Sequence, residues 1–340
     1  MAEHNEIAGI DAASLDRWIP NHVDGVDGPF AYELIAGGHS NLTYLVTPAS
    51  GPKLVLRRPP LGSVLATAHD MGREHRILSG VIQTDVPVPR PLAMCDDVEV
   101  NGAPFYVMAH VEGLVLHDEA TAAQVPEAQR AGLGEHVVDV LATLHAVEPS
   151  DVGLGELGKR EDYLGRQIRR WTRQWEQSKT RELATMEDVA ALLVRDQPEQ
   201  IGSTIVHGDY RLGNMLVADG RVAGVLDWEL CTLGDPLADV GYLMNNWIDP
   251  GEPTAGSSGP TGVGGFPDRS AMLERYAAAT GRDVSRVPYY RAFSYWRLAA
   301  IVEGVLARYM AGAMGAEADT SLFRAQVEGL ASMALALLED

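Results

Sequence analysis

Cysteine is nearly absent from this 340-residue chain: Cys95 and Cys231 are the only two, too few for a disulfide framework or a cysteine-rich zinc site. That usage fits a reducing cytosol. Basic residues are also short, 27 Lys and Arg against 47 Asp and Glu, for a formal net charge of −20. A surface so acidic repels phosphate backbones and anionic headgroups, so neither nucleic acid nor a membrane is an expected partner. No unbroken run of about 18 apolar residues is present, and the opening Met-Ala-Glu-His-Asn-Glu lacks a basic stretch ahead of an apolar one. A soluble, cytoplasmic protein is expected. There is no internal repeat, and 22% charged with 46% hydrophobic residues excludes collagen, coiled coil and wholesale disorder. The length suits one large domain or two ordinary ones.

The texture changes along the chain. Residues 1–28 form an acidic extension with one short amphipathic stretch, stopped by Pro20. Residues 31–36, 42–47 and 53–57 alternate or run apolar around two turns, Gly37-Gly38-His39-Ser40-Asn41 and Ser50-Gly51-Pro52. Three consecutive antiparallel strands follow from that pattern. A helix is expected over 64–78, then strands over 90–95 and 104–109. Beyond Glu112-Gly113 the period becomes helical: 128–147, 163–177, 186–195, 236–247, 271–280, 289–311 and 320–338. Residues 249–268, dense in Gly and Pro, read as a loop. The helix over 289–311 is apolar nearly all round and so should lie in the core. Its Arg297, Glu303 and Arg308 must then pair with one another or line a pocket, because unpaired buried charges cost several kcal/mol.

The chemistry concentrates in a β-rich insert at 205–227. His207-Gly208-Asp209-Tyr210-Arg211-Leu212-Gly213-Asn214 is followed by Val225-Leu226-Asp227-Trp228-Glu229. An Asp and an Asn five apart, with a His two before the Asp, match the spacing of a kinase catalytic loop. Phosphoryl transfer needs a carboxylate beside the attacking hydroxyl, and Asp209 suits that role; Arg211 is nominated with it as catalytic. Magnesium wants a few hard oxygen ligands, which the Asn214 amide and the Asp227 carboxylate can supply. Taken singly, such residues are turn formers or satisfied structural groups. It is the combination that points to phosphotransfer.

These segments, with Gly234-Asp235-Pro236-Leu237-Ala238-Asp239-Val240, Gly37–Tyr44 and Val55-Leu56-Arg57-Arg58-Pro59-Pro60, resemble the aminoglycoside phosphotransferase/choline kinase-like family. The likeness is greatest to the branch containing the kinase-like domain of acyl-CoA dehydrogenase family members 10 and 11. It implies an α+β, bilobal, protein-kinase-like fold: an N-lobe with a small antiparallel sheet over 29–111, and a mainly helical C-lobe over 112–340. ATP and Mg2+ would bind between the lobes. Residue by residue, the resemblance puts Gly37, Gly38, Ser40 and Asn41 in the loop covering the phosphates. It puts Arg57, where the family has lysine, on the phosphates, paired with Glu74; a one-residue shift would nominate Arg58 instead. Met108 would flank the adenine, with backbone groups of His110 and Val111 at its edge. Asp235 and Asp239 would brace the catalytic loop.

The acceptor is less legible. Between Lys159 and Arg181 lie eight basic residues against three acids, interleaved with Trp171 and Trp175. That segment could draw an anionic alcohol, a hydroxyacyl-CoA or a hydroxy acid, as the branch resemblance also implies; otherwise it is a solvated helix paired with neighbouring acids. The alternatives are an aminoglycoside or other small-alcohol kinase, a nucleotide-binding module without turnover, and a hydrolase holding a transition metal on His207, Asp209 and Asp227.

Overall fold

The computed structural model describes residues 7–36, 41–61, 70–249, 251–252, 259–312 and 319–339, and the chain divides into two compact units. The first gathers the described residues up to Val115, with 152–154 and 214–230. It opens with helix α1 (Ala12–Trp18), capped by the Asp11 carboxylate, which accepts the Ser14 N–H at 3.0 Å. Strands β1 (Asp27–Ala36), β2 (Leu42–Ser50) and β3 (Leu54–Arg58) follow, then α2 (Met71–Val81), β4 (Pro91–Cys95), the one-turn helix α3 (Val98–Asn101) and β5 (Phe105–Ala109). The five strands form one antiparallel sheet in the order β1-β2-β3-β5-β4.

Period-two burial shows in β2, where Leu42, Tyr44 and Val46 are buried. In the central strand β3, Leu54, Val55 and Leu56 are all buried, as a strand covered on both faces must be. One side is covered by Leu15 and Ile19, which join Val46, Leu54, Leu56, Phe105 and Val107 in one apolar cluster. Helix α2 buries Met71, Glu74, Ile77, Leu78 and Val81, one face of a helix that includes a carboxylate. The Asp70 side chain caps this helix at Arg73 N–H, 2.9 Å away, so it runs from 71 to 81; the earlier part of the expected helix, 64–69, lies outside the described residues. A short strand β6 (Leu114–Val115) pairs with β8 (Met215–Ala218), which turns through Asp219-Gly220 into β9 (Arg221–Val225). Both turn residues have positive φ, 50° and 70°, the conformation that a two-residue hairpin turn requires.

The second unit holds the described residues of 116–151, 155–213 and 231–340. Helices α4 (Glu119–Ala122), α5 (Glu127–Ala146), α6 (Tyr163–Ser178) and α7 (Ala184–Arg195) precede strand β7 (Thr204–Val206). That strand pairs antiparallel with β10 (Thr232–Gly234), after which come α8 (Leu237–Asn245), α9 (Arg269–Thr280), α10 (Val287–Met310) and α11 (Thr320–Glu339). As expected, α10 is the core helix: it packs against α6, α7, α8 and α11 and buries Tyr290, Phe293, Trp296, Ala300 and Leu306. By length and composition alone α11 could cross a membrane, although Arg324 and Glu328 break its apolar run. It buries Val327, Leu330, Ala331 and Ala334.

Candidate active site

In the first unit, three charged side chains from distant parts of the sequence meet. Arg57 leaves the buried strand β3 and sends Nη2 to within 2.6 Å of Asp227 Oδ1, while its Nε lies 3.3 Å from Glu74 Oε2 on α2. The Arg57 and Glu74 side chains are 11% and 2% exposed. Burial opposes the charge on Arg57, and the Glu74 and Asp227 carboxylates more than restore it, so the guanidinium stays protonated. Burial likewise pushes the Glu74 carboxyl up, against the pull of Arg57; the Tyr106 hydroxyl and the Trp228 N–H also hydrogen-bond to it. Tyr106 faces Arg57 across the β3–β5 ladder, and sequence reasoning missed it because a tyrosine in an apolar strand looks like ordinary core. Arg58 points elsewhere, donating to the carbonyls of Gly9 at 2.5 Å and Asn101 at 2.9 Å. Of the two candidate arginines, only Arg57 reaches Glu74 and Asp227.

Asp227 has φ +64°, a left-handed conformation that costs a non-glycine residue about 1 kcal/mol. Its ion pair with Arg57 helps to hold it there. The β8–β9 hairpin sets Met215 opposite Val225, and the Leu226 N–H donates to the Asn214 carbonyl at 2.8 Å. Asn214 and Asp227 therefore flank the open end of one hairpin. An amide oxygen and a carboxylate are hard donors that fit magnesium. Among the described residues no group of three His, Cys, Asp or Glu side chains could hold a metal.

The remaining nucleotide candidates are spread along the sheet. Asn41 is buried at the start of β2, whereas Gly37, Gly38 and Ser40 lie outside the described residues. Met108 is buried in β5 opposite Val55. The His110 N–H donates to the Lys53 carbonyl at 3.3 Å, and Val111 is half-buried.

In the second unit, the catalytic-loop sequence is clamped by one buried carboxylate. Asp239, on the first turn of α8, accepts the N–H groups of His207 at 2.7 Å and Gly208 at 2.8 Å. Gly208 has φ +86°, a conformation only glycine takes freely. The other side of Asp239 meets His145 Nε2 at 3.3 Å, and His145 Nδ1 lies 2.8 Å from the Tyr276 hydroxyl. Burial drives the His145 pKa down, so the ring is neutral: it donates to Asp239 through Nε2 and accepts from Tyr276 through Nδ1. Burial alone would raise Asp239, but its donors outweigh that and hold it ionised. Asp239 thus braces the loop through the peptide N–H groups of His207 and Gly208. Asp235 holds other groups: it accepts the Tyr290 hydroxyl at 2.7 Å and the Leu237 N–H at 3.0 Å, joining α8 to α10.

The Asp209 carboxylate is one-fifth exposed, with Arg211 Nε 3.3 Å from Oδ1. Tyr242 on α8 also hydrogen-bonds to it; burial and that carboxylate push the Tyr242 hydroxyl well above its ordinary range, so it remains a donor. Arg297 lies over the Tyr242 ring, 5.3 Å from its centroid, and donates to the Gly208 carbonyl at 3.1 Å. Neither expectation for the α10 charges holds as a whole. Arg297 supports the loop and Arg308 is exposed. Glu303 is fully buried and paired outside its own helix, with Arg181 at 3.1 Å and the Thr180 N–H at 2.7 Å. Half of the eight basic residues of that segment follow the plainer reading: Arg160, Arg169, Lys179 and Arg181 form ion pairs with Glu148, Asp162, Glu176 and Glu303.

Over residues 31–290 the chain matches the model of the phosphotransferase enzyme family. Mouse acyl-CoA dehydrogenase family member 10 is 35% identical over 84% of this chain and 27% of its own length; human family member 11 is 30% identical over 96% and 43%. The chain thus spans less than half of these relatives. A homoserine kinase from Chelativorans is 27% identical over 73% of this chain and 72% of its own. Among solved structures, a Ralstonia eutropha protein, provisionally named an aminoglycoside phosphotransferase, superposes with a TM-score of 0.83 at 33% identity, over 97% of this chain and 98% of that one. Choline kinase from Cryptosporidium parvum gives 0.69 at 12% identity over 97% of each chain, a likeness of fold. The α+β protein-kinase-like architecture expected from the sequence is the one found.

Proposed function

The chain belongs to the phosphotransferase enzyme family, and from that premise we propose that it is an ATP- and magnesium-dependent kinase acting on the hydroxyl of a small molecule. The observation that carries this reading is the meeting of Arg57, Glu74 and Asp227, a buried cation held between two carboxylates, the farther of them 170 residues along the chain from the arginine. A guanidinium is suited to grip phosphate oxygens in a fork, and Asp227 with Asn214 offers magnesium hard ligands. Bound magnesium–ATP would supply the transferable phosphoryl group. Asp209 is the group that orients the acceptor hydroxyl and receives its proton, and the Asp239 clamp keeps that carboxylate in place.

The acceptor in this reading carries an acid function, as a hydroxy acid or a hydroxyacyl-CoA. Two likenesses support it: relatives named acyl-CoA dehydrogenases, and a homoserine kinase, whose named substrate bears both a hydroxyl and a carboxylate. The basic segment over 159–181 lends less, because four of its eight charges are paired with acids. A coupled ADP-release screen across hydroxy acids, hydroxyacyl-CoAs, aminoglycosides, choline and sugars tests the proposal. Acceptor-dependent ADP release with hydroxy acids or hydroxyacyl-CoAs is the expected result. Nucleotide binding with no acceptor raising ADP release would leave only a nucleotide-binding module.

A further inference from the structure

A cavity of about 280 Å³ opens in the second unit beside the catalytic loop, lined by Arg211, Gly213, His117 and Asn246 with apolar Leu116 and Ile248. Its polar lining is cationic or neutral; none of the described residues lining it is acidic. Asp118, next to His117, has its carboxylate taken up by the Thr121 N–H at 2.8 Å and the Thr121 hydroxyl. The Arg211 side chain is 36% exposed, and its Asp209 contact uses Nε, leaving both terminal nitrogens. Gly213 lets the guanidinium lie against the backbone, since a Cβ there would collide with Arg211 Nη1 and stand 3.6 Å from His117 Nδ1. Asn245 is fully engaged with Arg291, whereas Asn246 spends only its Nδ2 on the Tyr242 carbonyl, at 2.9 Å, and keeps Oδ1.

We propose that this cavity is the anion subsite of the acceptor: the Arg211 fork, flanked by His117, grips the carboxylate of a short free hydroxy acid whose hydroxyl faces Asp209. The proposal rests on the kinase reading above and narrows it. A planar guanidinium edge matches a carboxylate bidentately, and the apolar walls accept a short alkyl chain. Because Arg211 Nε lies 3.3 Å from Asp209 Oδ1, an acceptor that reaches both groups has its carboxylate and hydroxyl close together, as a short hydroxy acid does. A thioester masks the group the fork grips, so the free acid is preferred to its CoA derivative. A polycationic aminoglycoside meets like charge at Arg211.

The full chain with magnesium–ATP is assayed on 3-hydroxybutyrate, 4-hydroxybutyrate, their primary amides and 3-hydroxybutyryl-CoA, as wild type, Arg211→Lys and Arg211→Gln. The acid-over-amide ratio of kcat/KM is the readout, because any general loss of rate cancels in it. Wild type should prefer the acid by roughly tenfold to a hundredfold, the range of a charge-assisted pair. Arg211→Gln should bring the ratio near one and Arg211→Lys should leave it between. Calorimetric binding of 4-hydroxybutyrate to the protein should weaken by the same factor in Arg211→Gln, with ATP affinity within twofold of wild type. Equal use of acid and amide by wild type, alongside acceptor-dependent ADP release, would overturn the subsite and leave the kinase. So would an Arg211→Gln protein that loses ATP affinity while keeping the acid preference, since Arg211 then serves the nucleotide. Failure of every alcohol tested would remove both.

Discussion

The two charged constellations, one in each unit, solve opposite problems. Around Arg57 the contacts run side chain to side chain, and the charges neutralise one another: Glu74 and Asp227 share a single guanidinium in a mostly buried setting. Around Asp209 the tethers run to the backbone, because Asp239 holds the peptide N–H groups of His207 and Gly208 and leaves the Asp209 carboxylate partly exposed. The first arrangement stores charge that a ligand would have to redistribute. The second fixes a loop without occupying its reactive group. Damage to the first should therefore register in stability as well as in rate, and damage at Asp209 mainly as lost rate.

The sharpest test of that contrast is Asp209→Asn. A nearly isosteric amide keeps the loop's shape and removes the proton acceptor, so kcat should fall by about 10²–10⁴-fold with the thermal midpoint within a couple of degrees, roughly 0.5 kcal/mol. A large fall in midpoint would place Asp209 among the structural charges and erase the distinction. Next in size is Arg57→Met, which strands Glu74 in the core; removing one partner of a buried pair costs about 3–5 kcal/mol in urea unfolding at neutral pH. Arg57→Lys should cost less, because the ammonium keeps the charge, but not nothing, since it cannot reach both carboxylates as two edges of a guanidinium do. The Arg57→Met deficit should depend on pH. Burial holds the folded Glu74 pKa above its ordinary value even against the pull of Arg57, and losing that cation raises it further. The variant therefore loses stability as pH rises through its raised value, and the gap to wild type narrows as pH falls back through it toward 4.5. A pH-independent gap would mean that Glu74 finds another cation.

Sequence alone exposed the parts that are contiguous or obey a spacing. His207 to Asn214 and Asp227 were legible because the chemistry fixes their order. The strands of the first unit were legible by alternation, although β1 begins four residues earlier and β2 ends three residues later than the apolar pattern suggested. Glu74 came from resemblance, since nothing in a helix's apolar face marks a buried carboxylate until its partner is known. Tyr106, His145, Tyr242 and Tyr276 stayed hidden for one physical reason. Each looks like core by pattern, and each earns its role through a hydroxyl or ring nitrogen whose partner lies on another element. The apparent anion attractor over 159–181 is weakened for the converse reason, because charge counted along a segment ignores acids folded against it.

A smaller effect probes the outer layer of the Asp209 side. His145 is fully buried and neutral, its folded pKa held below 6.5 by burial, so an unfolded chain takes up a proton there first. Stability from this site is therefore complete above pH 6.5 and is lost as pH falls below it, by about 1 kcal/mol between pH 7 and 5.5. The Asp239 carboxylate does not blur that window. Its folded pKa lies below 3.8, so its own contribution stays intact until pH falls toward that value. His145→Gln keeps a donor for Asp239 and removes the titrating ring, so urea midpoints of variant and wild type should converge as pH drops from 7 to 5.5. If the two curves stay parallel, His145 is already charged in the folded protein. The Tyr276 hydroxyl would then be accepting from the ring, and the clamp on His207 and Gly208 would be an ion pair in place of a neutral relay.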